Sequence, residues 1–177
     1  MPEYLNIVDE DDNIIGQETR SEVHRLGLLH REVHVYFITP NKEIIFQHRA
    51  KDKDFYPDLL DATVGGHVDL GDDYKETAIR EVEEETGLKI DLKDLIFLSK
   101  DRNGPFNDPK TGTTNSTWKE NYIYTFSGQS SDLRVEEGKA IGFESWSMDK
   151  LRNISEAERE KFIPYVLNFV QENLLDL

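Results

Sequence analysis

Three glutamates, Glu81, Glu84 and Glu85, stand at i, i+3 and i+4 in the stretch GGHVDLGDDYKETAIREVEEETGL, which runs from Gly65 to Leu88. In a helix this spacing projects all three carboxylates from one face, within about one turn. Like charges so placed destabilise a helix by roughly 0.2 to 0.5 kcal/mol per pair, so the sequence either spreads them into water as a solvated acidic face or holds a cation among them. Clustered carboxylates around a hard cation have an obvious chemistry. A diphosphate linkage hydrolyses slowly because its anionic oxygens repel a nucleophile, and a catalyst must neutralise that charge and position water. Magnesium takes six oxygens and keeps places for water and phosphate, and manganese has similar preferences. The spacing assigns Glu81, Glu84 and Glu85 as ligands, joined by a backbone carbonyl at Gly65 in the Gly65-Gly66 loop.

The helix that carries them is signalled at both ends. Asp73, with Glu76 three residues on, makes a capping box, and Gly87 stands where a left-handed cap closes the last turn. Ala78, Ile79 and Val82 fall on a different side, available for packing. Ahead of the helix, Gly65 and Gly66 read as a tight loop that lets backbone approach a ligand, and Gly71 lets the chain turn into the helix.

The remaining elements must form the platform. Tyr4 to Val8 and Ile14 to Thr19 read as a hairpin over 4–19 about the turn-rich Asp9 to Asn13, and Ser21 to Leu26 as a helical turn ending at Gly27. Leu29 to Thr39 alternates as a strand, Pro40-Asn41-Lys42 turns it into Glu43 to His48, and these two are expected to be neighbours in a central sheet. Leu95 to Ser99 is a strand and Asp101 to Thr117, with its glycines and prolines, a long loop. Trp118 to Phe126 alternates with Tyr122, Tyr124 and Phe126 on one side, and Ile141 to Trp146 is a last strand. Ser155 and Glu158 open a C-terminal helical region, about 155–174, that Pro164 must kink or restart. The pattern is α/β with a mixed sheet, in a single domain spanning 1–177.

The polar loop Arg49 to Asp58 carries Arg49, Lys51, Lys53, Phe55 and Tyr56. Its bases can bind substrate phosphates and Phe55 or Tyr56 can stack on a nucleobase, or the loop is simply solvated. His67 beside Gly66 is either a substrate-binding residue or a hydrogen-bonded structural one. His30 and His34 share one face of a strand, while His24 and His48 carry no signal.

Composition bounds the partners. Thirty-six acidic against twenty-one basic residues give a formal charge of -15, which opposes nucleic acid and anionic membrane surfaces; an anionic small substrate then needs divalent cations to invert the local field. No cysteine is present, which excludes disulfides, thiolate metal sites and cysteine nucleophiles. No basic-then-apolar leader and no long apolar run occurs, so the expected location is cytoplasmic.

The Gly66 to Leu88 stretch resembles the Nudix box, Gx5Ex7REUxEExGU with U apolar. Arg80, Glu81, Val82, Glu84, Glu85, Gly87 and Leu88 fall in register, and Asp72 stands where the first glutamate belongs. The resemblance implies an α/β/α sandwich with a loop-helix-loop box beside a mixed sheet, and Mg2+- or Mn2+-dependent hydrolysis of a nucleoside diphosphate linked to another group. It matches Glu81, Glu84 and Glu85 to metal-binding glutamates and Arg80 to the arginine that orients them, giving Glu81, Arg80 and Glu84 catalytic roles. Asp72 would support the arginine or the metal. The general base is a box glutamate or a carboxylate from outside, for which Glu120 and Glu144 are candidates. By analogy with relatives the chain is a possible homodimer.

The segments VDEDDNIIGQETR, LLHREV and ATVGGHVDLG are similar to the branch that includes isopentenyl-diphosphate isomerase. There, histidines matching His30 and His67 help hold the metal. The proton-donating cysteine of that branch is replaced here by Gly65, and the later-strand glutamate falls on Tyr122, so double-bond isomerisation lacks both proton carriers. A third reading is a Nudix-shaped module that binds a nucleotide or a protein without turnover.

Overall fold

The computed structural model describes residues 2–53 and 55–177. Strands β1 (Tyr4–Val8) and β2 (Ile14–Thr19) form the expected hairpin, and α1 (Arg20–Leu26) follows at once, capped by the Thr19 side chain and closed by Gly27 at φ 65°. The centre of the molecule is β3 (His30–Ile38). Along one edge it runs parallel to β8 (Thr114–Thr125), from His30 opposite Thr117 to Ile38 opposite Thr125. Its other edge is shared: Ile7 of β1 pairs with His30, β6 (Val64–His67) pairs antiparallel with Glu32 to Val35, and β4 (Glu43–Arg49) pairs at Phe37 and Ile38. Away from β3, β4 pairs with β5 (Leu60–Asp61) and β9 (Ala140–Ser147). The parallel pairing of β3 with β8 among antiparallel strand pairs makes the sheet mixed, as expected.

The handover from β4 to β6 splits the sheet. Thr63 stands at the fork: its hydroxyl accepts from Phe37 N at 2.8 Å and donates to the Ile45 carbonyl, replacing the ladder bonds that the parting strands give up. A cleft opens beyond it.

Alternation sorts the strands between two cores. Val33, Val35, Phe37, Ile45 and Tyr122 pack under α2 (Tyr74–Thr86), against its Ala78 and Val82. Tyr36, Ile44, Phe46 and Ile123 pack on the opposite face, with Leu151 of α3 (Met148–Arg152) and Val166, Leu167 and Val170 of α5 (Pro164–Asn173). Helices on both faces give the α/β sandwich.

Two local expectations are corrected. Gly65 and Gly66 lie in strand β6, paired with β3, and the turn into the helix is made afterwards, with Gly71 at φ 91°. The stretch 101–117 is mostly strand: β7 (Ile96–Asn107) pairs antiparallel with β8, and Gly104-Pro105 is absorbed in an irregularity between Asn103 and Phe106. Proline and glycine suggest a loop there, but the bulge removes the ladder position that proline cannot fill. The C-terminal region is two helices, α4 (Glu156–Arg159) and α5, which Pro164 restarts; the chain between them pairs with Leu60 through Leu60 N to Lys161 O and Ile163 N to Leu60 O. Among the described residues no helix is long and apolar enough to cross a membrane.

Candidate metal and diphosphate site

α2 forms one wall of a cleft of about 340 Å³ at the fork of the sheet. Its N-terminus carries the reciprocal capping box, with Glu76 N donating to Asp73 Oδ1 at 2.8 Å, and its C-terminus closes on Gly87 at φ 76°. Because Ala78 and Val82 are committed to the core, the glutamates beside them are drawn in at the cleft edge. Glu81 is 5% and Glu85 2% exposed, whereas Glu84 is exposed.

Each buried carboxylate has a defined setting. Glu85 Oε2 accepts from Gln47 Nε2 at 2.9 Å and from the Gly65 backbone N–H at 3.4 Å. Burial pushes its carboxyl up to about 7, with Lys139 opposing and Glu81 adding to the rise. Burial likewise raises Glu81, against the pull of Lys139 and Arg80. Glu81 lies against Gly66, where a Cβ would stand only 2.4 Å from its Cδ, so this strand position admits glycine alone without displacement of the carboxylate.

Arg80 lies among several acids. Its Nη1 lies 2.8 Å from Glu81 Oε1 and 3.2 Å from Glu84 Oε2, and its Nη2 2.8 Å from Asp69 Oδ2. Asp72 is farther, at 3.6 Å from Nε. Being one methylene shorter than glutamate, it acts at ion-pair range while Asp69, which the sequence did not flag, makes the nearer contact.

Lys139, just before β9, was also not anticipated. Its ammonium lies 3.3 Å from Glu81 Oε2, 3.4 Å from Glu85 Oε1 and 3.4 Å from Glu136 Oε2. Burial lowers and these three carboxylates raise its pKa, and the carboxylates win. Six carboxylates, those of Asp69, Asp72, Glu81, Glu84, Glu85 and Glu136, thus surround two cationic heads. An oxygen-only donor set with excess negative charge, and a cradle at Gly66 that a Cβ would fill, suit a hard divalent cation.

The other expected site residues divide. Glu120 lies outside the cleft: it accepts from the Tyr122 hydroxyl and lies 3.6 Å from Lys100, on the opposite strand face from Lys119. Glu144 accepts from Trp146 Nε1 at 3.2 Å and faces His48, also away from the cleft. Tyr122 packs in the core under α2; the residues that β8 offers toward the cleft are Asn115, in its lining, and Lys119, whose Nζ lies 3.1 Å from His34 Nε2 and 3.2 Å from Glu32 Oε2. Alternation makes the difference, since neighbours on one strand look to opposite faces.

Arg49 lines the cleft, but its donors are used internally. They reach the Phe55 carbonyl at 2.7 Å, the Tyr56 carbonyl at 3.2 Å and Asp61 Oδ2 at 2.9 Å, so it pins the loop that follows β4. Lys53 and Phe55 also line the cleft, whereas Lys51 is exposed outside it and Tyr56 packs on Phe55 and Tyr165.

Beside the cleft, which His24 of α1 and His67 of β6 line, these two histidines and the fully buried His30 of β3 offer nitrogens that all lie within 4.8 Å of one another. His24 Nε2 is 3.1 Å from His67 Nε2, and Glu32 Oε1 is 3.4 Å from His67 Nε2 and 3.8 Å from His30 Nε2. His30 Nδ1 is 2.9 Å from the Leu28 carbonyl, the contact of a donor, and its Nε2 is buried without a partner at hydrogen-bond distance. No sequence signal pointed to His24, which α1 delivers from outside every motif.

A forked mixed sheet whose cleft is walled by a capped carboxylate helix defines an α/β protein with a candidate site for a hard cation. The NUDIX domain model matches residues 28–166, and the chain belongs to that family. An uncharacterized Nudix hydrolase of Yersinia pestis is 42% identical over 86 residues, covering 49% of this chain and 47% of that protein. Nudix hydrolase 3 of Arabidopsis thaliana is 29% identical over 188 residues, covering 99% of this chain and 23% of that protein. The chain therefore spans about half or less of the length of these two relatives. Among solved structures, DR0079 from Deinococcus radiodurans shares the fold with a TM-score of 0.75 at 23% identity, covering 97% of this chain and 99% of that one. The Nudix domain of Shewanella oneidensis NrtR, solved with ADP ribose, has a TM-score of 0.55 at 15% identity, covering 88% and 98%.

Proposed function

We propose that this protein hydrolyses a diphosphate linkage in a nucleoside diphosphate derivative, by attack of water at phosphorus. The observation that carries the reading is the buried Glu81–Glu85 pair, bracketed by Arg80 and Lys139 on the wall of a cleft. Glu81, Glu84 and Glu85, with the Gly65 backbone, hold Mg2+ or Mn2+, which supplies charge neutralisation on the phosphate oxygens. Arg80 fixes the directions of Glu81 and Glu84. With Glu120 and Glu144 turned away, the proton of the attacking water goes to a box carboxylate, and Glu84 has the most solvent-facing head of the three. Lys53, Phe55 and His67 in the lining are the side chains placed to meet the substrate. The ADP ribose bound by the NrtR domain supports the nucleotide-linked class. The single domain 1–177, the cytoplasmic location and a homodimeric state are part of this proposal.

The test is a panel of dinucleoside polyphosphates, nucleotide sugars, nucleotide cofactors and nucleoside triphosphates with Mg2+ or Mn2+, scored by product identity. E85Q should lower turnover by several orders of magnitude with the fold intact; near-normal turnover would refute the ligand assignment. Calorimetric binding of these compounds with no phosphate-containing product would favour the non-enzymatic module.

The three histidines favour a second reading alongside the first. His24, His30 and His67, with Glu32 beside them, form a nitrogen-rich set that suits zinc, manganese or iron better than magnesium, in keeping with the isomerase-like branch. Isomerisation remains chemically unsupported, since Gly65 carries no proton and Tyr122 faces the core. Elemental analysis of wild type against H67A tests the site; equal transition-metal content in both would remove it.

A further inference from the structure

Lys139 stands on the turn ahead of β9 with its backbone anchored on both sides. Its N–H donates to the Glu136 carbonyl at 3.2 Å and its own carbonyl accepts from Ala50 N at 3.0 Å. From there the side chain, about one third exposed, crosses to the Glu81–Glu85 pair. Two buried carboxylates this close need a positive charge near them. Arg80 supplies one on the far oxygen of Glu81, but Arg80 is a planar fork held among Asp69, Asp72, Glu81 and Glu84. Lys139 is different in kind: a compact point charge on a flexible stem, arriving from outside the helix.

A divalent ion held by Glu81 and Glu85 competes with this ammonium for their oxygens, and the two cations repel each other. The aqueous cleft beside them, lined by Lys139 itself, gives the displaced head somewhere to go. We infer that Lys139 is an exchangeable counter-ion: it neutralises the Glu81–Glu85 pair until the divalent ion arrives, and then turns its charge to the anionic oxygens of the substrate in the same cleft. The inference rests on the reading of Glu81, Glu84 and Glu85 as metal ligands and adds a role for a residue outside the box. It makes metal binding weaker in the empty cleft than the carboxylates alone would allow, and makes metal and diphosphate bind cooperatively.

The experiment uses the full chain freed of metal by chelation. Manganese binding is read from the electron paramagnetic resonance signal of the free ion, and binding of methylenediphosphonate, whose P–C–P bridge resists hydrolysis, is read by calorimetry at saturating manganese. K139Q should bind manganese alone roughly five- to tenfold more tightly than wild type and methylenediphosphonate more weakly by a similar factor. K139A should move both affinities the same way, and K139R, which keeps the charge, should stay within about twofold of wild type. Manganese affinity that is unchanged or weaker in K139Q and K139A overturns the inference, as does unchanged methylenediphosphonate binding. Manganese bound by wild type and lost in E85Q, with no response to K139Q, sinks this inference alone. No manganese bound by wild type removes the ligand assignment as well.

Discussion

Adding a single methyl group at Gly66 tests the site more sharply than removing a carboxylate. A Cβ on Gly66 would stand 2.4 Å from Glu81 Cδ and 2.6 Å from both Cγ and Oε1. Ordinary carbon contacts begin at about 3.5 Å, so the Glu81 head must retreat by about 1 Å. It has little freedom to do so harmlessly, because Arg80 holds Oε1 at 2.8 Å and Lys139 lies 3.3 Å from Oε2. The backbone at Gly66 is ordinary strand, so the fold tolerates alanine at the cost of local overpacking, about 1–3 kcal/mol, or a fall in Tm of several degrees. A misplacement of about 1 Å in a catalytic constellation is enough for a loss on the order of 100-fold. The expected result for G66A is therefore a roughly 100-fold lower kcat/KM on the best substrate of the panel, and weakened manganese binding, in a protein that still melts cooperatively. A G66A protein with wild-type turnover and wild-type manganese affinity would refute the placement of Glu81 against β6.

Two further predictions concern the scaffold. T63V should lower stability by about 2–4 kcal/mol in urea denaturation, since it leaves the buried Phe37 N–H and Ile45 carbonyl without the hydroxyl that serves both at the fork; an unchanged denaturation midpoint would contradict that role. Asp12 ties the first hairpin to α2, accepting from Arg31 Nε at 2.7 Å and the Tyr74 hydroxyl at 3.0 Å, with Lys100 alongside. Burial pushes its carboxyl up, and the hydrogen bonds from Lys100, Arg31 and Tyr74 outweigh that, leaving its pKa lowered. A lowered folded-state pKa means a stabilising contribution that is complete above the ordinary aspartate value of about 3.9 and fades as pH falls through the folded value. D12N should therefore be less stable than wild type at pH 7, with the gap closing below about pH 4 in urea midpoints; a gap that stays constant down to pH 2 would exclude this linkage.

Much of α2 was legible in the linear chain because its determinants are neighbours. The Asp73–Glu76 box, the Gly87 cap and the i, i+3, i+4 spacing of the glutamates are settled within a few residues of backbone, and a helix places them the same way wherever it packs. Strand alternation likewise sorts Tyr122, Tyr124 and Phe126 onto one side, and all three belong to the core under α2. Alternation does not say which side meets a cleft, however, and that is why Glu120 and Glu144 read as candidate bases and turned out to face elsewhere.

What the amino-acid order determined alone was the family motif, the capped helix, the mixed α/β pattern and the clustering of three acids. The tertiary structure decided which of those acids are buried, and which distant residues complete the site. Gln47 on β4, Gly66 on β6 and Lys139 before β9 converge on Glu81 and Glu85 only because β4 and β6 part at Thr63. The histidines of α1, β3 and β6 likewise meet only through the pairing of β6 with β3 and the return of α1 against the sheet. The physical reason is range: capping bonds and helix spacing act over a few residues, whereas burial, charge pairing across the cleft and the shift of Glu85 to about 7 arise from groups that folding alone brings together.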